Sequence, residues 1–216
     1  MARLKLVVLI SGRGSNLQAL IDACSETDFP AEISLIISNR ADAGGLARAE
    51  SAGIAAAVVP HGNYPDRETF DTALSATIAD AGGELICLAG FMRVLTAGFV
   101  EQWRDRMINI HPSLLPAFKG LNTHARALAE GVRLTGCTVH YVRTDVDAGP
   151  IIVQAGVPVL PDDDEAALAS RVLVAEHQCY PLAVRLIAEG RTSVHGERVT
   201  ISGPTNCPNT LINPSL

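Results

Sequence analysis

The sequence predicts an α/β fold: a mostly parallel sheet with helices on both faces and an antiparallel hairpin in the C-terminal half. Three observations carry this. Short continuous apolar runs at residues 5–10, 33–38 and 85–89 read as strands buried on both faces. Between them lie segments whose apolar residues recur at helical spacing, so strand and helix alternate. Beyond residue 130 two strand-like runs, 135–142 and 151–155, follow each other closely across a turn rich in acidic and breaker residues, which makes a hairpin.

The first strand leads into Ser11-Gly12-Arg13-Gly14-Ser15-Asn16, after which Leu17, Leu20, Ile21 and Cys24 recur at helical spacing. The loop therefore sits between a strand and a helix start, where Ser15 or Asn16 is suited to cap the helix. Glycines let the backbone approach a ligand, and free amides at a helix start attract phosphate. A dinucleotide fingerprint fails here. Leu17 stands where the third glycine belongs, and the second strand ends Ser38-Asn39-Arg40 with no acidic residue. A triphosphate loop would need Gly-Lys-Ser/Thr, which is absent. A small phosphate monoester is the best functional reading, with a tight turn that only enters the helix as its rival.

Residues 44–52 read as a helix stopped by Gly53, and 54–59 as a short third strand. His61 to Asp66 is a loop, and Asp66 is placed to cap a helix from Arg67 to Ala81. After the fourth strand comes Gly90-Phe91-Met92-Arg93-Val94-Leu95, at the strand end where such sheets bind ligands. It could wall a flat ring; ordinary core packing, with Arg93 in an ion pair, is the competing reading. A short helix over 97–104 precedes a fifth strand, Met107-Ile108-Asn109-Ile110, and Asn122 to Glu130 reads as a helix. Asp162-Asp163-Asp164-Glu165 suits the start of a long helix that ends near Gly190. A small hairpin is expected from Thr192. Residues 1–202 are expected to form a single domain, its halves meeting near residue 100, and 203–216 a loose tail.

The chain has 216 residues, 48% hydrophobic and 19% charged, enough for one well-buried domain. A net charge of -6 without a basic block argues against nucleic-acid or anionic-membrane binding. No run reaches the roughly 18 apolar residues of a membrane helix. Five scattered cysteines without a Cys-x-x-Cys fit a reducing cytoplasm and buried structural thiols rather than disulfides or zinc.

The chemistry concentrates in Asn109-Ile110-His111-Pro112-Ser113-Leu114-Leu115-Pro116. Pro112 keeps His111 extended, so Asn109 and His111 point to one side. An amide can donate to an oxyanion, and an imidazole can move a proton. Asp147, in the later turn, supplies a carboxylate to orient that ring. The set suits acyl or formyl transfer to a nucleophile that the substrate carries, since no Gly-x-Ser-x-Gly elbow appears and no cysteine is placed beside His111. Metal binding is the main rival, but His111, His124 and His140 show no ligand spacing. His61, His124 and His195 read as packed or surface residues.

These motifs resemble the phosphoribosylglycinamide formyltransferase family over about residues 5–190. The likeness includes Ile10 to Asn16, Leu88 to Leu95, Asn109 to Pro116, Gly136 to His140, Asp147 to Ile151 and Glu176 to Pro181. The resemblance implies a Rossmann-like formyltransferase fold. It implies that Gly14, Ser15 and Asn16 bind the phosphate of glycinamide ribonucleotide, and Glu176 its sugar. It implies that Arg67, Met92, Arg93, Val94 and Leu95, with Arg143, Thr144, Asp145 and Val146, hold the co-substrate 10-formyltetrahydrofolate. Asn109, His111 and Asp147 would be catalytic, with Thr138 in support and no metal. The implied protein is a cytoplasmic enzyme of purine synthesis, a monomer or homodimer acting on small molecules. A formyltetrahydrofolate hydrolase shares the catalytic set but is expected to carry a preceding regulatory domain. A methionyl-tRNA formyltransferase would call for a basic C-terminal domain. A catalytically silent phosphosugar-binding domain is the reading outside enzymes. The segment Ala117-Phe118-Lys119-Gly120 carries no motif that speaks to substrate choice.

Overall fold

A computed structural model describes residues 2–205 and 211–214. Chain contacts divide it into two compact units. One runs through Asn109 and includes Tyr141–Thr144; the other takes Ile110–His140 and Asp145 onward.

The first unit contains β1 (Leu4–Ile10), α1 (Ser15–Ser25), β2 (Ala31–Ser38), α2 (Gly45–Ser51), β3 (Ala56–Val58), α3 (Arg67–Asp80), β4 (Leu85–Leu88), α4 (Ala97–Gln102) and most of β5 (Met107–His111). These strands are parallel, in the order β3-β2-β1-β4-β5. The chain adds β2 and β3 on one side of β1, then returns to lay down β4 and β5 on the other. With right-handed crossovers that reversal sends α1 and α2 to one face and α3 and α4 to the other. Side chains agree. Val7 and Leu9 of β1 share a core cluster with Phe70, Leu74 and Ile78 of α3 and with Phe99 and Trp103 around α4. Ile10 points the other way, toward Gly45 at the start of α2. Leu6 to Ile10 are all fully buried, as the unbroken apolar run predicts for a strand covered on both faces. The reversal falls between β1 and β4, whose carboxyl ends lead into the 11–16 loop and the 89–95 segment, the position where sheets of this kind bind ligands.

Local expectations hold unevenly. Asp66 caps α3 by accepting from Thr69 N at 2.8 Å. Gly53, at φ 66°, ends α2 as expected. The cap of α1 does not follow the expectation for Ser15 or Asn16: Gly14 occupies it in the left-handed region, with no side-chain hydrogen bond. The reason is steric. A Cβ on Gly14 would lie 2.8 Å from Gly45 Cα, so close approach of two helix starts decides the residue instead of capping chemistry. The third strand is shorter than 54–59, because Ile54 N is spent on Ala49 O in closing α2. Part of the expected 61–66 loop is a single 3₁₀ turn, His61–Asn63.

The second unit contains α5 (Thr123–Ala129), β6 (Leu134–Tyr141, its last residue in the first unit), β7 (Ile151–Pro158), α6 (Glu165–Ala188), and β8 (Thr192–His195) paired with β9 (Arg198–Ile201). The expected hairpin is present, β6 and β7 being antiparallel, with β7 three residues longer than its apolar run suggested. The acidic cluster works structurally. Asp164 caps α6 through Ala167 N at 2.7 Å, and Asp163 holds Arg171 at 2.7 Å. Asn213, within the stretch expected to be loose, donates to the Arg133 and Val159 carbonyls. Residues 206–210 and 215–216 of that tail, Cys207 included, lie outside the described residues. The other four cysteines are free and buried. Among the described residues no helix is long and apolar enough to cross a membrane, and no cluster of ligating side chains could hold a metal.

Candidate active site

In the second unit, the chemistry is built around the end of β5. His111 is the last residue of that extended strand. His111 Nδ1 lies 3.3 Å from Asp147 Oδ2, and Nε2 lies 3.0 Å from the Phe118 carbonyl. Both neighbours are acceptors. A neutral imidazole can donate to only one of them, whereas a protonated ring donates to both. Asp147 Oδ2 also accepts from Gly120 N at 2.7 Å. The two side chains are only 7% and 12% exposed, so water screens their attraction little. Asp147 adopts φ 47°, a left-handed conformation that Asp and Asn tolerate better than most residues. Outliers of this kind concentrate at functional sites.

Thr138 stands behind the turn that leaves His111. Its hydroxyl donates to Ser113 O at 2.7 Å and accepts from Leu115 N at 3.0 Å. His124, on α5, has a depressed pKa: burial lowers it most, Glu165 opposes, and the charge of His111 adds to the lowering. Hydrogen bonding with Cys179, then burial, pushes the Cys137 thiol up, and burial pushes Cys24 up to about 11. Those two thiols stay protonated and are poor nucleophiles; the same hydrogen bond shifts the Cys179 thiol the other way, downward, against its burial. Glu176 is buried on α6. Asp145 and Val146 are exposed in the turn before Asp147.

In the first unit, Gly14, Ser15 and Asn16 open α1, with their loop packed on the start of α2: Gly45 N donates to Gly12 O at 3.0 Å. The 92–95 segment is pinned at both ends. Met92 N donates to Ser11 Oγ at 2.8 Å, and Ser11 in turn donates to Asn39 Oδ1 at 2.6 Å. At the other end Thr96 N donates to the buried Asp71 at 2.7 Å. Between the pins, Met92 and Val94 are 72% and 52% exposed, and Leu95 packs partly against the core. Among the described residues Arg93 makes no ion pair. It stacks on Phe70, with its guanidinium carbon 4.6 Å from the ring centroid. Arg67, exposed, is the first residue of the same helix. Arg143 pairs with Asp105 at 2.8 Å, and Thr144 beside it is exposed. Asn109 lies on β5 in register with Leu88.

Several of these partners escape sequence reasoning. Phe118 and Gly120 act through backbone atoms, which no residue type announces. Ser11, Asn39 and Asp71 carry a weak signal: a polar residue directly after a buried strand, or facing inward on a helix.

The first unit is an α/β sheet with a glycine-rich loop at its reversal point, and the second holds a buried His–Asp pair beside a tight turn, the kind of pair that can move a proton. A sequence model described as formyl transferase matches residues 4–184, and the chain belongs to that family. It is 43% identical to the phosphoribosylglycinamide formyltransferase of Escherichia coli K12, over 93% of this chain and 94% of that protein. It is 51% identical to the human trifunctional purine biosynthetic protein adenosine-3 over 86% of its own length, but spans only 18% of that protein. The crystal structure of glycinamide ribonucleotide transformylase 1 from Symbiobacterium toebii superposes with a TM-score of 0.90 at 48% identity, covering 92% of this chain and 94% of that one.

Proposed function

We propose that this protein transfers the formyl group of 10-formyltetrahydrofolate to the amine of glycinamide ribonucleotide, a step of purine synthesis. The observation that supports this most is the buried His111–Asp147 pair, with both ring nitrogens facing acceptors, in a chain of the formyl transferase family. The ribonucleotide amine attacks the formyl carbon, and a tetrahedral oxyanion forms. Asn109 donates to that oxygen and His111 assists. Collapse breaks the bond from the formyl carbon to the folate nitrogen. The amine loses a proton and the departing folate nitrogen gains one, with His111 and Asp147 organising the transfer. The raised thiols of Cys24 and Cys137 fit direct attack by the amine, without a covalent intermediate on either.

Gly14, Ser15 and Asn16 hold the ribonucleotide phosphate in this reading, and Glu176 its sugar. Arg67, Met92, Arg93, Val94, Leu95, Arg143, Thr144, Asp145 and Val146 hold the folate. The pinned 92–95 segment, with its exposed Met92 and Val94, supports that assignment. Arg143 would have to serve the folate beside its pairing with Asp105.

Folate release from 10-formyltetrahydrofolate tests the function directly. Release that depends on glycinamide ribonucleotide supports it. Equal release without the ribonucleotide would make the protein a hydrolase, and no release would make it a binding module; either result overturns the reading.

A further inference from the structure

We propose that Gln154 is a positioning residue for His111, acting through the Thr138 hydroxyl; the proposal rests on the formyl-transfer function above. Thr138 is fully buried on β6, in register with Gln154 of β7. A hydroxyl offers one hydrogen and two lone pairs. At Thr138 all three are committed. Oγ1 accepts from Leu115 N at 3.0 Å and from Gln154 Nε2 at 2.9 Å. Its hydrogen goes to Ser113 O at 2.7 Å. Gln154 Nε2 also donates to Leu115 O at 3.0 Å. One exposed residue thus turns its amide inward to grip both the hydroxyl and the next carbonyl of the same turn.

The grip matters because of what the turn connects. The chain leaves His111, passes through Pro112 to Ala117, and returns at Phe118, whose carbonyl meets His111 Nε2 at 3.0 Å. Ser113 Oγ closes the same turn on Ala117 O at 2.6 Å. Gln154 fixes the sense of the Thr138 hydroxyl, because its donor occupies the second lone pair and leaves the hydrogen only Ser113 O to serve. It anchors Leu115 from the carbonyl side, while Thr138 anchors it from the amide side. Without Gln154 the turn loses two of its ties, and the Phe118 carbonyl is free to drift from Nε2. Displacements of about 1 Å near a reacting group can cost on the order of a hundredfold in rate. Gln154 donates to Leu115 and Thr138, neither of which is assigned to a substrate, so the effect falls on turnover rather than on binding.

Two variants test this. Gln154→Met keeps the length and removes both donated bonds. Gln154→Glu sets an acceptor against Leu115 O and draws the Thr138 hydrogen away from Ser113. Wild-type and His111→Asn proteins are assayed first. Ribonucleotide-dependent turnover in the one and its loss in the other establish the function independently of Gln154. For Gln154→Met we expect kcat to fall by roughly ten- to a hundredfold, with KM for both substrates within about twofold. The ¹⁵N imidazole signals of His111, identified by their absence from His111→Asn, should shift in the same variant. For Gln154→Glu the ratio of its kcat to that of wild type should rise as pH falls toward the carboxyl range near 4–5, where a protonated side chain regains a donor. A folded Gln154→Met protein with kcat within twofold of wild type, a loss confined to KM, or unmoved His111 signals would each overturn the proposal. If Gln154→Met does not fold, the Gln154→Glu ratio decides: a rise supports positioning and a flat ratio overturns it. If the wild type shows no turnover, the formyl-transfer function fails, and the His111 signals alone judge Gln154.

Discussion

Replacing Asp147 by Asn would isolate one negative charge. His111 Nδ1 and Gly120 N both meet the same carboxylate oxygen, Oδ2, at 3.3 and 2.7 Å. A carboxamide oxygen in that place can accept from both, so neither contact need be lost. Asn is also at ease at the φ of 47° found here, so the backbone has no reason to move. What disappears is the attraction between a carboxylate and a ring that becomes positive during proton transfer. Unit charges 3.3 Å apart in an effective dielectric of about 20 attract by about 5 kcal/mol. Charge delocalisation and desolvation reduce this, and charge-assisted hydrogen bonds net about 1.5–3 kcal/mol. We expect Asp147→Asn to lower kcat by about ten- to a hundredfold, at the rate of tenfold per 1.36 kcal/mol. The assay is steady-state turnover with both substrates varied, beside a thermal melt to confirm folding. Because both side chains are largely buried, the deficit should persist when the salt concentration is raised. A folded variant with kcat within threefold of wild type, or with its whole loss in KM, would refute a catalytic role for the charge.

Three further outcomes are expected. Asn109→Ala should lose about 10²–10³ in turnover, the usual cost of one oxyanion donor, while calorimetry still detects ribonucleotide binding; near-normal turnover would remove Asn109 from the mechanism. Gly14→Ala should cost about 2–4 kcal/mol in urea unfolding, since the new methyl meets the Gly45 backbone at 2.8 Å and the left-handed conformation is strained. His124 should make folding sensitive to acid. Its pKa is depressed in the folded protein, so below the ordinary value of 6.5 the unfolded chain binds more protons, and stability is lost as pH falls from 6.5 through the folded value. Comparing urea midpoints of wild type and His124→Gln from pH 7.5 to 5 checks this, and an equal decline in both would count against it.

The strands and helices were largely legible because the patterns that encode them are local. Leu6 to Ile10 announce a doubly covered strand, and Asp66 and Asp164 announce helix starts with the side chains that cap them. Gly14 shows where local reading stops. Capping preference pointed to Ser15 or Asn16, but the deciding atom belongs to Gly45, thirty-one residues further on. At the candidate site, the sequence offers His111 and Asp147 as partners because an imidazole and a carboxylate are the side chains that proton chemistry uses, and the two lie 3.3 Å apart. The partners that complete the pair were not readable. Phe118 contributes a carbonyl and Gly120 an amide, backbone groups that side-chain types do not announce. For Arg93 the rival reading looked to an ion pair, whereas the contact the structure shows is with the face of Phe70, which charge alone does not announce.

The full commitment of the Thr138 hydroxyl also limits how protons travel near His111. A hydroxyl conducts a proton only if it takes one from an acid on one side and passes its own to a base on the other. Thr138 meets a backbone amide and a carboxamide, neither acidic, and a peptide carbonyl that hands nothing on. Thr138 is therefore a tie and not a relay. In the proposed reaction, protons reaching or leaving His111 have no conducting route through Thr138.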